Sequence, residues 1–262
     1  MKLLLMLLFI INTLFAYEGH NKWIGVFAQS KSIKYTDQKL YATLFWDDFR
    51  KKVKENWKDG YDLTSIKYGN GKWVGVFSKG TGFKEESFHS AGTWKHFRPI
   101  VLERWKSGYD LIDIEYGLGK WVGIFAKGTS YKAQSYNTKN KWGDMEAIIK
   151  NRWKQGLKLI DVQQGEAKWI CLFAKGSGFG RQTFSSRGYW SQIYHKIDQM
   201  WQKGYNLTQL EYGVGKWIAV FSEDAKFEHQ RLSFSDDFDL FVKKFDQNIK
   251  DGYYLIDLAN GF

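Results

Sequence analysis

A Gly-x-Gly-Lys sequence recurs along the chain and could mark a phosphate-binding loop. It occurs as YGNGKW (68–73), YGLGKW (116–121) and YGVGKW (212–217). A Walker loop needs Gly-x-x-x-x-Gly-Lys-Ser/Thr at the start of a helix, whereas each of these lysines precedes Trp and a β-rich run. In the related QGEAKW (164–169), Ala167 replaces the second glycine. We interpret the sequence as a hairpin turn, and we predict no nucleotide or other cofactor.

Lysines at repeated positions are the best candidates for a binding site. One set begins the second strand of each repeat, and the other precedes the GTG, GTS and GSG loops. In a closed ring these lysines would form circles of positive charge, beside glycine-rich turns whose amides suit an anion. The alternative is that they are solvated strand ends that aid solubility. The candidates are Lys22, Lys72, Lys120, Lys168 and Lys216 in the first set, and Lys79, Lys127 and Lys175 in the second.

Other reactive residue types give no catalytic signature. Cys171, the single cysteine, aligns with Gly75 and Gly123, which favours a small packed side chain over a nucleophile. It also excludes an intramolecular disulfide framework. The five histidines share no common register and no metal-ligand spacing, so no metal site is predicted. The aromatic residues after the glycine-rich loops could line a surface: Phe83, Tyr131, Phe179 and Phe227.

These residues are positioned by an internal repeat. Trp73, Trp121, Trp169 and Trp217 recur at one constant interval, and the glycines from Gly60 to Gly252 follow the same interval. Complete units of this length cover 61–108, 109–156, 157–204 and 205–252. A fifth unit is divided between 17–60 and 253–262. We therefore predict one repeat domain over 17–262.

Each unit is predicted to fold as β-β-β-α. YDLTSIKY (61–68) and KWVGVFSK (72–79) are β-rich and flank Gly-Asn-Gly, a hairpin signature, and KEESFHS (84–90) reads as a further strand. Trp94, Phe97, Val101 and Trp105 then form one helical stripe. A glycine follows each helix, as suits a left-handed residue after the last turn.

The divided fifth unit predicts a closed ring. The N-terminal fragment lacks the first strand, and 253–262 supplies only that strand. If the last strand pairs with the first unit, it removes the free edges and closes a five-fold pseudosymmetric, propeller-like α/β ring. An open superhelix is the alternative.

The N-terminal segment 1–16, MKLLLMLLFIINTLFA, predicts a secretory signal peptide, with an uncleaved anchor as the alternative. We therefore expect a periplasmic or secreted monomer. The formal net charge of +11 suits an anionic glycan, a lipid headgroup or a protein partner. Nucleic acid is not expected as a partner, since an exported protein is separated from it and the sequence has no contiguous basic run.

The segment RWKSGYDLIDIEYGLGKWVGIFAKGT (104–129) resembles an uncharacterised repeat domain of bacterial proteins, also found C-terminal to plant casein-kinase-I-like kinases. The resemblance covers essentially all of the mature chain. Kinase catalytic motifs are absent, so it implies no phosphotransfer. SFHSAGTW (87–94) also resembles a degenerate Asp-box turn of propeller repeats, with His89 at the Asp position. The β-β-β-α unit is similar to that of the pentein α/β propeller, but a shared fold does not imply function.

The sequence thus favours a non-catalytic binding or interaction module. Two alternatives stay open: an enzyme whose site is built from non-repeating residues at the ring centre, and a structural component of an envelope assembly.

Overall fold

The computed structural model describes residues 20–30, 33–225 and 227–262, so the predicted signal peptide lies outside the described residues. The described chain forms five helices and fifteen strands. The helices are α1 (Trp46–Lys58), α2 (Trp94–Lys106), α3 (Trp142–Lys154), α4 (Trp190–Gln202) and α5 (Phe238–Lys250). The strands are β1 (Lys22–Gln29), β2 (Asp37–Thr43), β3 (Asp62–Gly69), β4 (Lys72–Lys79), β5 (Glu85–Ala91), β6 (Asp110–Gly117), β7 (Lys120–Lys127), β8 (Ala133–Lys139), β9 (Lys158–Gly165), β10 (Lys168–Lys175), β11 (Gln182–Arg187), β12 (Asn206–Gly213), β13 (Lys216–Ser222), β14 (His229–Ser235) and β15 (Tyr254–Gly261). The predicted β-β-β-α unit is confirmed.

The glycine-lysine phrases are hairpin turns, as predicted. Asn70 and Gly71 connect β3 to β4, and both have positive φ, at 46° and 76°. Two positive-φ residues are typical of the type I′ turn, whose twist matches that of paired strands. Glu166 and Ala167 adopt the same conformation between β9 and β10. The Gly-x-Gly-Lys sequence therefore forms a turn and not a phosphate-binding loop.

The helices follow the predicted stripe. In α2, Trp94, Phe97 and Val101 are buried, and Thr93 caps the helix by accepting from the His96 amide. Gly108 follows the helix with φ of 78°, the left-handed conformation that glycine adopts without strain. Each helix packs its apolar stripe against strands of its own sheet, and the buried side chains form five clusters.

The sheets do not coincide with the sequence repeats. All five are antiparallel and three-stranded, and the third strand of one unit pairs with the hairpin of the next. We call the hairpin strands inner and middle and the remaining strand outer. In the order outer-middle-inner, the sheets are β2-β4-β3, β5-β7-β6, β8-β10-β9, β11-β13-β12 and β14-β1-β15.

The last of these sheets joins the two ends of the chain. β1 is its middle strand and lies between β14 and β15, with Trp23 opposite both Ser235 and Asn260. The predicted pairing of the C-terminal strand with the N-terminal unit is therefore present. Because β1 has partners on both sides, neither of its edges is open.

Inner strands of neighbouring sheets approach so closely that a glycine is required. A Cβ at Gly117 of β6 would lie 2.4 Å from Tyr68 of β3, and one at Gly165 of β9 would lie 2.3 Å from Tyr116 of β6. The same approach occurs between Gly69 of β3 and Asn260 of β15. The contacts thus run through β3, β6, β9, β12 and β15 and return to β3.

Candidate functional site

The two predicted lysine sets lie at opposite ends of the middle strands. We call these ends the turn end, where the hairpin turns are, and the loop end, where the chain leaves for the outer strand. Lys22, at the turn end, is fully buried, and its ammonium donates to the His20 carbonyl at 2.7 Å. Lys168 pairs with Glu166 at 3.3 Å, whereas Lys216 is exposed. The first set is therefore not a uniform ring of available charge.

The second lysine set is largely engaged with neighbouring side chains. The Lys127 ammonium lies 3.0 Å from a Glu85 oxygen and 4.5 Å from the Tyr109 ring centroid. Lys79 lies 4.4 Å above the ring of Tyr61. Lys175 is exposed. None of these three lysines lines the cavity described next.

A cavity of about 730 Å³ opens at the loop end and is lined by all five units. Its base is formed where the inner strands begin, by residues at one register of the repeat: Thr64, Ile112, Ile160, Thr208 and Ile256. Thr64 lies at a β-bulge, and its hydroxyl donates to the Val76 carbonyl at 3.2 Å. A bulge redirects a side chain out of the regular alternation of a strand.

Five aromatic side chains form the wall of this cavity. Each is half-buried, and they occupy one register of the repeat: Tyr35, Phe83, Tyr131, Phe179 and Phe227. Burial raises the pKa of Tyr35 to about 12, with a smaller contribution from Asp62, and burial also raises the pKa of Tyr131. Both tyrosines are therefore neutral hydroxyl groups over the whole physiological range.

Hydroxyl side chains hold the aromatic residues in place. Thr81 accepts from the Phe83 amide at 3.1 Å and donates to the Asp62 carboxylate. Thr129 makes the equivalent contacts with Tyr131 and Asp110, and Ser177 accepts from the Phe179 amide at 3.3 Å. A side-chain oxygen that accepts a hydrogen bond from the amide two residues later in the chain stabilises a tight turn. The wall is thus set by the loop sequence itself.

The loops also pack against one another. Gly80 has φ of 77°, and a Cβ there would lie 2.4 Å from the Lys34 carbonyl oxygen. Gly176 has φ of 81° and the same relation to the Ser130 carbonyl, at 2.5 Å. No L-residue satisfies both the positive φ and this close approach without strain. Glycine therefore lets the loops meet around the cavity.

Exposed lysines border the opening. Lys34 lines the cavity directly. Lys84 and Lys132 are also exposed, and a Cβ at the cavity-lining Gly128 or Gly176 would lie 3.0 and 3.2 Å from their respective Cγ atoms. Long side chains keep their ammonium groups in water while their stems cover neighbouring surface. Three exposed lysines therefore border the described part of the opening, and they differ from those predicted.

A buried charged cluster joins the inner strands. Lys67 of β3 lies 2.9 Å from Glu115 of β6 and 2.5 Å from Glu211 of β12, and it donates to Gln163 of β9 at 3.2 Å. Burial alone lowers the pKa of Lys67, but the two glutamates outweigh it and hold that pKa well above its usual value. Burial raises the pKa of both glutamates, while Lys67 opposes that effect.

Three aspartates lie on the inner strands near this cluster, at one register of the repeat. Asp113, Asp161 and Asp257 accept from the backbone amides of the neighbouring inner strand at 2.8, 2.9 and 2.6 Å. These amides have no partner within their own sheet, so the carboxylates satisfy buried edge donors. Burial raises the pKa of all three, to about 6 for Asp113 and about 7 for Asp257. Among the described residues no group of His, Cys, Asp or Glu is arranged to hold a metal ion.

The remaining candidates have structural positions. Cys171 is fully buried inside β10, where burial raises the pKa of its thiol well above the usual value. The site residues that sequence reasoning missed are Tyr35, Lys34, Lys84 and Lys132. Tyr35 lies exactly one repeat interval before Phe83, so the repeat register contained its signal.

Comparison with protein-family models matches residues 15–209 to a domain of unknown function, DUF7477. This match covers most of the chain and agrees with an uncharacterised repeat domain. The protein belongs to the DUF7477 family. No curated protein matches the chain.

No helix within residues 20–30, 33–225 and 227–262 has the length and apolar character needed to cross a bilayer.

Proposed function

We propose that the five units form a closed, propeller-like ring. The position of β1 between β14 and β15 supports this arrangement, as do the inner-strand contacts that return from β15 to β3. The cavity supports it independently, because equivalent residues of every unit line one volume. In a closed ring the loop end is a single surface with the cavity at its centre.

We also propose that the protein is a non-catalytic binding module whose ligand is an acidic carbohydrate. The observation that carries this proposal is the combination of an aromatic wall with a lysine-bordered opening in one cavity. Ligand sites are concave, with apolar and aromatic linings and a few polar groups that fix orientation. A volume of about 730 Å³ lies within the usual range of small-molecule sites.

The aromatic wall suits the apolar faces of sugar rings. Phe83, Tyr131 and Phe179 come from consecutive loops, so a chain of rings can stack on successive side chains. Ser130 and Gln209 add uncharged polar groups to the lining. Aromatic residues also lose little conformational freedom when they bind, which favours their use as rigid contacts.

The lysines support the proposed preference for an acidic sugar. Lys34, Lys84 and Lys132 keep their charge outside the apolar lining, where they attract an anion without the cost of burial. Exposed charges of this kind act mainly on association rate and respond strongly to salt. Binding of a uronic-acid oligosaccharide is therefore expected to weaken as ionic strength rises.

Calorimetric titration with a uronic-acid oligosaccharide and its neutral counterpart tests the proposal. Phe83→Ala with Tyr131→Ala is expected to lower affinity for both sugars by about tenfold or more. Lys84→Gln with Lys132→Gln is expected to weaken only the acidic sugar. Lys216→Gln, an exposed lysine at the turn end, is the matched control. Unchanged affinity in the aromatic variant would exclude the cavity as the site. Preference for anionic vesicles, with loss in the Lys216 variant, would instead favour a lipid headgroup at the turn end.

We propose in addition that residues 1–16 direct export and that the mature chain begins near Tyr17, in keeping with an envelope ligand. Mass spectrometry of the intact protein recovered from the extracytoplasmic fraction tests both the export and the cleavage position. A full-length cytoplasmic product would contradict it.

A further inference from the structure

A carboxylate occupies a small niche at the N-terminus of α2, at the turn end. Glu166 Oε2 accepts from the Trp94 backbone amide at 2.7 Å and from Trp121 Nε1 at 3.0 Å. Lys168 lies 3.3 Å from the same oxygen. The niche therefore combines a helix N-terminal amide, an indole N–H and an ammonium group. Together they hold the pKa of Glu166 below its usual value, with the Trp94 amide making the largest contribution.

The preceding unit builds the same niche without the carboxylate. Trp46 of α1, Trp73 and Lys120 stand where Trp94, Trp121 and Lys168 stand in the following unit. The position of Glu166 is taken by Leu118, which has φ of 46° and is 58% exposed. A leucine accepts no hydrogen bond.

The indole donor of this second niche has no acceptor among the described residues. Trp73 is fully buried, and its Nε1 has no hydrogen-bond partner among the described residues. The N-cap of α1, Phe45, provides no side-chain cap. The Trp73 and Trp121 rings each lie 4.9 Å from the tyrosine ring of their own hairpin, so the indole is placed similarly in both units. A buried N–H without an acceptor destabilises the fold, and a ligand that accepts from it removes that cost.

The charges around the niche are of both signs. The Lys120 ammonium lies 4.9 Å from the Trp46 ring centroid and supplies the cation. Asp47 and Asp48 are in the first turn of α1, and both are exposed. Asp47 is paired with Arg50 at 3.5 Å, which moderates its repulsion of an incoming anion.

We infer that the α1 niche is a second binding site, for a carboxylate group supplied by another molecule. The ligand carboxylate takes the place of Glu166, accepting from the Trp46 amide and the Trp73 indole and pairing with Lys120. Helix N-termini favour such anions through their free amides and dipole. The exposed Leu118 beside it provides apolar contact for whatever group carries the carboxylate. This site is at the turn end and does not depend on the proposed cavity ligand.

Sodium acetate, titrated against sodium chloride at constant ionic strength, is the probe. The readout is the indole N–H signal of each tryptophan in ¹⁵N-correlated NMR spectra. The Trp73 signal is expected to shift along a saturable curve, while the Trp121 signal, already bonded to Glu166, stays in place. Acetamide, which lacks the charge, is expected to produce a much smaller shift. Lys120→Gln is expected to weaken acetate binding about threefold.

Leu118→Glu provides the decisive variant. It is expected to move the Trp73 signal without acetate and to abolish the acetate response, whereas Leu118→Met keeps the response. A Trp73 signal that follows chloride and acetate equally would overturn the proposal. So would an acetate shift that survives in Leu118→Glu. Retention of carbohydrate binding in Leu118→Glu separates this site from the cavity.

Discussion

Buried polar groups join neighbouring sheets in two regions of the molecule. One region is where the inner strands meet, and the other lies along the outer strands. The inner region depends on one cation, Lys67, which contacts side chains of three other strands. The outer region repeats one neutral contact at every sheet boundary but one. Loss of Lys67 therefore affects several units at once, whereas loss of one outer contact affects a single boundary.

The outer contact is a paired amide. In four sheets a glutamine accepts from an inner-strand leucine amide of the adjoining sheet and donates to the carbonyl of the same leucine. Gln182 does this with Leu159, at 2.8 Å in both directions. The four glutamines are Gln38, Gln134, Gln182 and Gln230.

Glu86 holds the fifth position. Its Oε2 accepts from the Leu63 amide at 3.0 Å and from Trp57 Nε1. Its Oε1 is buried and has no partner among the described residues. Burial, with a smaller contribution from Asp62, raises the pKa of Glu86 to about 8. A protonated carboxyl reproduces the glutamine, since its O–H can donate to the Leu63 carbonyl. A carboxyl can therefore take the place of the glutamine amide in this repeat, but only in its protonated form. The stability of that sheet boundary then depends on pH.

The largest effect is expected from Lys67→Met. This change leaves Glu115 and Glu211 buried without a cation and should lower the free energy of unfolding by about 3–5 kcal/mol. Urea denaturation followed by tryptophan fluorescence measures it. The triple change of Lys67, Glu115 and Glu211 to Met, Leu and Leu should recover most of the loss. A single variant as stable as the parent would show that the inner region is not centred on Lys67.

A smaller loss is expected from Gln182→Ala. It leaves the Leu159 amide and carbonyl buried and unpaired, which costs about 1–3 kcal/mol. Urea midpoints of this variant and of Lys175→Ala, an exposed position on β10, make the matched comparison. If both variants have the same urea midpoint, the paired amide contributes little to the stability of the sheet boundary.

Glu86→Gln tests the proton directly. A carboxyl whose folded pKa is raised stabilises the fold fully below its unfolded pKa, and this contribution is lost as pH rises through about 8. The variant should therefore be more stable than the parent at pH 9, by about 1–2 kcal/mol, and similar to it at pH 5. Arg50 and Lys54, which line the same surface groove as Glu86, are present in both the variant and the parent. An equal difference at both pH values would contradict the protonated carboxyl.

The smallest effect is expected from the reverse change, Gln134→Glu. Gln134 is half-buried, so water screens part of the cost. Its stability should fall between pH 5 and pH 9 more steeply than that of the parent, by about 0.5–1 kcal/mol. Parallel pH profiles would show that Glu86 owes its behaviour to a feature of its own boundary.

The repeat spacing predicted the hairpins, the helices and the pairing of β15 with β1 because these depend on local patterns and on complete units. It did not predict that β2 pairs with β4 rather than within its own unit, since strand pairing across units leaves no local signal. The partners of Lys67 are equally remote: Gln163 and Glu211 lie 96 and 144 residues away.

The candidate site was predicted in part. Phe83, Tyr131, Phe179 and Phe227 were expected to line a surface, and they line the cavity. Tyr35 was missed because the first unit has two extra residues between Trp23 and Tyr35, so that counting from the tryptophan does not reach it. The predicted lysines recur by register, but register does not reveal that Lys22 is buried or that Lys127 is paired.

Mapping of a uronic-acid oligosaccharide by NMR tests the central proposal most directly. Backbone amide shifts are predicted to cluster at 80–84, 128–132 and 176–180, with the hairpin turns at 69–72 and 117–120 unaffected. Shifts confined to the hairpin turns, or none at all with any acidic glycan, would contradict a binding site in the cavity.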